Sequence, residues 1–233
     1  MASIPPIHIA FLLFPDMTQL DFTGPAQVLT RMGNTSIELV SKTLEPVMTD
    51  ASFTLQPTAT FDTARPADIL LVPGGFGVVA AMEDDATVEW VRRTGEAAQW
   101  VTAVCTGSLL LGAAGLLKGY RATTHWASHH HLALFGAIPV RERYVFDRNR
   151  ATGGGVTAGI DVSLALIAAI RGDAHAKFVQ LSIEYDPQPP FDCGSPDKAG
   201  PRVLERYHAL VKGRAADRDA RTQAVAMRRL SAS

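Results

Sequence analysis

Three short apolar runs limit what this chain can fold into. They are Ile7–Phe14 (Ile-His-Ile-Ala-Phe-Leu-Leu-Phe), Ile69–Val72 (Ile-Leu-Leu-Val) and Val101–Val104 (Val-Thr-Ala-Val). None alternates regularly between polar and apolar, so each reads as a strand covered on both faces. The segments between them read as helices: from Asp21 through about Met32, a charged one over Thr87–Ala98, and Thr106–Leu117 directly after the third strand. Ser36–Ser41 predicts a further strand, and residues 46–62 alternate weakly, as an edge excursion would. Residues 122–125 predict a short strand leading into a helix that reaches Leu134. An apolar helix over Ala158–Ile170 and another over Ala174–Glu184 follow. Strands alternating with helices predict an α/β fold with a mostly parallel central sheet and helices on both faces. Such sheets place sites beyond the C-terminal ends of their strands. Asp21, Gly75 and Cys105 each follow one of the three apolar runs, so the fold itself can bring them together.

A chain of 233 residues is long enough for one large domain with a full core. The formal net charge of −1 argues against an electrostatic grip on nucleic acid. The N-terminus, Met-Ala-Ser-Ile-Pro-Pro-Ile-His, lacks the basic and long apolar regions of a signal peptide, and the apolar runs are far shorter than a bilayer span. The expectation is a cytoplasmic protein with no membrane contact. Cys105 and Cys193 are too few for a disulfide framework and are expected to be free thiols. One domain is expected over residues 1–212, followed by a polar, helix-prone tail over 213–233.

Cys105 sits in Trp100-Val-Thr-Ala-Val-Cys-Thr-Gly-Ser-Leu-Leu-Leu111, between a strand and a helix. A thiol at such a turn faces a helix N-terminus, whose N–H groups and dipole favour a thiolate and hence covalent chemistry. The alternative is a small buried hydrophobe, the commonest state of a free cysteine. Asp21 can exchange a proton with a substrate at Cys105, or serve only in the first turn of its helix. Close to the sulfur, desolvation would raise its pKa. Pro73-Gly74-Gly75 lets the backbone approach a ligand, and the N–H groups of Gly75 and Thr106 are candidate donors to developing negative charge; Gly74 and Phe76 are candidate substrate contacts. The Thr106 hydroxyl is a further candidate near the sulfur. His129-His130-His131 reads as a surface cluster, because adjacent helical positions point in different directions, so no metal ligand set is expected. His125 is the better site-adjacent histidine. Thr152-Gly-Gly-Gly155 either brings a loop near the site or only turns the chain, and Cys193, in a turn-rich loop, reads as incidental.

Taken together, the first strand with its acid, the Pro-Gly-Gly turn and the cysteine elbow resemble the DJ-1/PfpI superfamily over about residues 5–200. The phrases Phe11-Leu-Leu-Phe-Pro15, Gln19-Leu-Asp-Phe-Thr-Gly-Pro25, Gly115-Leu-Leu-Lys-Gly-Tyr-Arg-Ala-Thr-Thr-His-Trp126, Thr152-Gly-Gly-Gly-Val-Thr-Ala-Gly-Ile-Asp161 and Glu184-Tyr-Asp-Pro-Gln-Pro-Pro-Phe191 are most similar to its isonitrile-hydrating branch. The resemblance implies a flavodoxin-like three-layer sandwich. It implies a homodimer with the site near the interface, and hydration of an isonitrile to an N-formamide without a cofactor. The nucleophile would fall on Cys105, the acid/base carboxylate on Asp21 and the supporting threonine on Thr106. Many members carry Glu where Asp21 stands, and the protease-like branch carries His where Thr106 stands. Two other readings use the same phrases. Ligand-sensing domains of AraC-type regulators share them, but such regulators also need a helix-turn-helix region of ~100 residues. Glyoxalase- or deglycase-like enzymes of the superfamily use the same cysteine, and an exposed thiolate can also sense oxidants.

Overall fold

The computed structural model describes residues 5–231. Residues 1–4, the start of the segment read as lacking a signal peptide, and 232–233, the end of the expected tail, lie outside the described residues. In chain order the strands are β1 (Ile7–Leu12), β2 (Thr35–Ser41), β3 (Val47–Met48), β4 (Thr54–Leu55), β5 (Ala59–Thr60), β6 (Ile69–Val72), β7 (Trp100–Val104), β8 (Arg121–Ala122), β9 (Ile138–Pro139), β10 (Tyr144–Asp147) and β11 (Arg150–Gly153). The helices are α1 (Gln19–Leu29), α2 (Val78–Glu83), α3 (Asp85–Ala97), α4 (Gly107–Ala113), α5 (Ala158–Arg171), α6 (Asp173–Ser182) and α7 (Pro196–Ser231), the last broken at Gly200. A 3₁₀ segment spans Trp126–Phe135.

A seven-stranded sheet runs in the order β10-β11-β7-β6-β1-β2-β5. It is parallel except for the β10–β11 hairpin at its edge. The mostly parallel α/β fold expected from the apolar runs is the one that forms. From β1 the chain steps one way to β2; from β6 it steps the other way to β7. Right-handed crossovers then put the intervening helices on opposite faces. Accordingly α1 packs with α5, and α5 with α6, while α2, α3 and α4 pack together with α7. β1, β6 and β7 are buried almost throughout, because helices cover both faces of each. The order reverses between β1 and β6. Their C-terminal ends diverge there and leave a crevice for a site.

Several elements differ from the sequence expectation. The segment at 122–125 forms its strand earlier, at Arg121–Ala122, and Trp126–Phe135 winds as a 3₁₀ helix rather than an α-helix. α4 stops at Ala113, short of Leu117. The β10–β11 hairpin has no apolar run to announce it; Arg148 at its turn adopts a left-handed φ of 54°. The helix α7 passes through residue 213 without a break. Its last part is packed down, with Thr222, Val225 and Ala226 buried.

Candidate active site

Cys105 follows the last residue of β7 and has φ 56°, a conformation that L-residues other than Gly, Asn and Asp rarely adopt. The surroundings over-determine it. Its N–H is shared between the carbonyls of Gly153 (3.1 Å) and Gly154 (2.9 Å). Its own carbonyl accepts from the buried Thr124 hydroxyl at 2.7 Å. The sharp turn lifts the side chain off the sheet and places it before α4. The N–H groups of Thr106 and Val156 both point at the sulfur and favour its anion.

Asp21 lies in the first turn of α1, yet its carboxyl caps no helix. Phe22 beside it packs edge-on against Phe11 of β1, ring centroids 5.1 Å apart, which fixes α1 over the strand. Asp21 is fully buried. Its Oδ2 accepts from the Gly74 N–H at 2.9 Å, and Oδ1 has no aligned hydrogen bond. The Cys105 thiol is the titratable neighbour that acts on it. Burial pushes the Asp21 pKa up to about 7, against the lowering effects of the Gly74 N–H and Cys105, with a small further rise from Asp50.

The sequence suggested a thiolate at Cys105; burial and the carboxylate of Asp21 instead hold the thiol well above its ordinary pKa. The N–H groups of Thr106 and Val156 oppose this without prevailing. The physical reason is that the elbow points into the protein rather than to water: Cys105 is 5% exposed. Thiol and carboxyl form one buried acid pair that carries a proton at neutral pH.

Gly74 tolerates no side chain. A Cβ there would lie 2.5 Å from the Thr106 nitrogen and 3.0 Å from the Cys105 Cβ. This close approach brings the two loops together. The N–H of Gly75, expected to face a substrate, donates instead to Thr106 Oγ1 at 3.0 Å, and the same hydroxyl reaches the Gly75 carbonyl at 3.3 Å. Thr106 therefore ties the β6 loop to the elbow through its side chain, leaving its own N–H for the sulfur.

Cys105, Thr106, Gly75 and Phe76 line a cavity of about 680 Å³ with Val79, His125 and Val156. Its outer wall comes from α7, through Tyr207, Val211, Arg214 and Arg218. The Arg214 guanidinium sits 4.9 Å over the Phe76 ring. Arg221 clamps the wall shut with paired bonds to Glu83 of 2.9 and 2.6 Å. His125 is neutral at pH 7: burial, then the Arg218 charge, lowers its pKa to about 4. Its Nδ1 accepts from the Ala127 N–H, and the residue belongs to the cavity wall. Cys193 is exposed, on the loop before α7. Val156, Thr124 and the α7 residues escaped the sequence reading. Only the Gly154-Gly155 pair before Val156 hinted that this loop comes near.

Among protein-family models, that of the DJ-1/PfpI family matches residues 7–169. The chain is 51% identical over 199 residues to the isonitrile hydratase of Pseudomonas putida, covering 85% of this chain and 87% of that one. It is 30% identical over 182 residues to the HTH-type transcriptional regulator CdhR of Pseudomonas aeruginosa, covering 75% of this chain and 53% of the regulator. A solved ThiJ/PfpI family protein from Pseudomonas syringae superposes with a TM-score of 0.90 at 43% identity, covering 96% of this chain and 91% of that one. From its sheet order, its cysteine elbow and these matches, the chain belongs to the DJ-1/PfpI family.

Proposed function

We propose that this protein hydrates isonitriles to N-formamides, using Cys105 as nucleophile and Asp21 as the proton carrier. The observation that carries the reading is the 51% identity to an isonitrile hydratase over most of both chains. The buried Cys105–Asp21 pair supports it chemically, since the reaction needs a nucleophile and a proton delivered to the same carbon. In the resting pair the proton stays on sulfur, because burial and the Asp21 charge raise the thiol, while Asp21, with its pKa pushed up to about 7, can take that proton as the sulfur attacks.

The steps balance as follows. The thiol proton passes to Asp21 as the sulfur attacks the terminal carbon of R–N≡C. Asp21 delivers that proton to the carbon, giving the thioimidate R–N=CH–S–Cys105. Asp21, now ionised, takes a proton from water as the water oxygen adds to the same carbon, and passes that proton to nitrogen. The tetrahedral adduct loses its hydroxyl proton to Asp21 and expels the Cys105 thiolate. The N-formamide leaves, and the thiolate recovers its proton. The N–H groups of Thr106 and Val156 steady the sulfur when it is anionic, at the start and at the end. The step needs no cofactor and no metal. Gly74 packs against Thr106 and the Cys105 Cβ and holds Asp21 through its N–H rather than lining the cavity, and Phe76 with Tyr207 offers apolar surface to the substituent R.

The test is conversion of an aryl isonitrile, followed as loss of isonitrile and growth of N-formamide, with Cys105→Ala protein in parallel. Conversion that disappears in the variant is expected. Near wild-type conversion by Cys105→Ala would rule out covalent catalysis. Preference for methylglyoxal would favour a glyoxalase-like relative instead, and salt-dependent DNA binding would revive the regulator reading. We also propose a cytoplasmic homodimer. Among the described residues no helix is long and apolar enough to cross a membrane. Large apolar side chains on the outside, Leu181 at 80% and Leu210 at 83% exposure, are suited to burial against a second copy.

A further inference from the structure

The histidine run at 129–131 takes no part in the proposed reaction, and the fold gives it a neighbour that the sequence does not. His131 is not on the surface: its side chain is 1% exposed, on the 3₁₀ segment beneath α7. His130, next to it, stays exposed at 60%, but its ring turns back so that the two ring centroids are 3.9 Å apart. Asp219, from the part of α7 that walls the cavity, meets both. Its Oδ1 is 3.2 Å from His131 Nε2 and 3.8 Å from His130 Nε2, and the three ligand atoms all lie within 4.8 Å of one another.

The two Asp219 distances, 3.2 and 3.8 Å, suit one ion. Bonds of about 2.0–2.1 Å arranged tetrahedrally separate neighbouring ligand atoms by about 3.3 Å. The group is also unfinished as it stands. Neither ring nitrogen of His131 makes an aligned hydrogen bond, and Asp219 Oδ1 has none. The Ser128 backbone bonds the ring and Asp219 Oδ1 lies 3.2 Å from Nε2, so this buried imidazole is held facing the carboxylate. The Arg218 guanidinium, 3.7 Å from Oδ1, is the other cation at hand, but it donates to the Ala127 carbonyl.

We propose that His130 Nε2, His131 Nε2 and Asp219 Oδ1 bind one divalent transition-metal ion of the zinc type. Two imidazoles and one carboxylate favour Zn²⁺, Co²⁺ or Ni²⁺ over Mg²⁺ or Ca²⁺. Three protein ligands leave a fourth position for water. The ion has a structural place here, next to Arg218, which lines the cavity. It pins α7 to the 3₁₀ segment and so holds the outer wall of the cavity in position.

The experiment uses untagged full-length protein carrying Cys193→Ser, which removes an exposed thiol that would itself bind Zn²⁺. After treatment with chelator and its removal, Zn²⁺ is titrated calorimetrically, and Co²⁺ binding is followed by its visible absorption. One equivalent of each ion is expected, with Co²⁺ bands of a four- or five-coordinate site and a rise in Tm with Zn²⁺. His130→Ala and Asp219→Asn alter partly exposed side chains, so both variants should fold. Each should weaken Zn²⁺ binding at least tenfold and abolish the rise in Tm. Absence of binding in the parent, or affinity and Co²⁺ spectrum unchanged in both variants, would overturn the proposal.

Discussion

Asp21 combines complete burial with a raised pKa, and this makes stability depend on pH. The folded state holds the proton up to about pH 7, the unfolded chain only to the ordinary value of 3.8. Stability from this group is therefore full below pH 3.8 and is lost as pH rises towards 7, by an amount on the order of 4 kcal/mol. Asp21→Asn removes the titration and keeps an acceptor for the Gly74 N–H. Its denaturation midpoint should exceed wild type at pH 8 and converge with it at pH 4, while isonitrile turnover falls by more than ~100-fold, as loss of a general acid does. Thr124 offers a second test. It touches the backbone of Cys105 and not the cavity, so Thr124→Val leaves the Cys105 carbonyl buried without its donor. A loss of about 1–3 kcal/mol in chemical denaturation is expected, with turnover reduced through a misplaced sulfur. At Gly74, alanine collides with backbone rather than a flexible side chain. Gly74→Ala should cost about 1–3 kcal/mol and lower turnover, read by the same two assays.

At the scale of elements, α7 is where a helix becomes part of the site. Its contacts with the body combine the buried Val225 and Ala226 with the Arg221–Glu83 pair. Both charged side chains are 40% exposed. The pair holds the Glu83 carboxyl below the usual range, Arg221 being the first cause, yet solvent screening limits its worth to under about 1 kcal/mol. Glu83→Gln should hardly change Tm. Opening of the wall should be easier, so amide hydrogen exchange around residues 214–228 should speed up and KM should rise with little change in kcat. An unchanged exchange pattern would mean that the buried residues of α7 and its other contacts, such as Arg229 with Asp85 and Arg218 with the Ala127 carbonyl, hold the wall without the pair.

At the scale of the whole molecule, the exposed leucines of α6 and α7 bear on assembly. Light scattering should report twice the 25.0 kDa chain mass, and glutamate at both Leu181 and Leu210 should return it to 25.0 kDa. A dimer unaffected by both changes would put the interface elsewhere. What the residues alone determined was the part of the fold built from local signals. Apolar runs this short, bounded by Pro and Gly, read as strands covered on both faces, and strands interleaved with helices wind into a parallel sheet. That sheet put Asp21, Gly75 and Cys105 at neighbouring strand ends, as the spacing predicts. The tertiary structure decided everything that depends on what faces what. The Cys105 thiol is raised rather than lowered because the elbow points into a buried pair, which a turn motif cannot reveal. The Gly75 N–H is spent on Thr106, the β10–β11 hairpin pairs two four-residue segments that mix polar and apolar residues, and His131 lies buried against Asp219, 88 positions further along the chain. Burial and charge pairing arise between segments remote in sequence, so local pattern specifies the elements, and only their packing sets the protonation and the walls of the site.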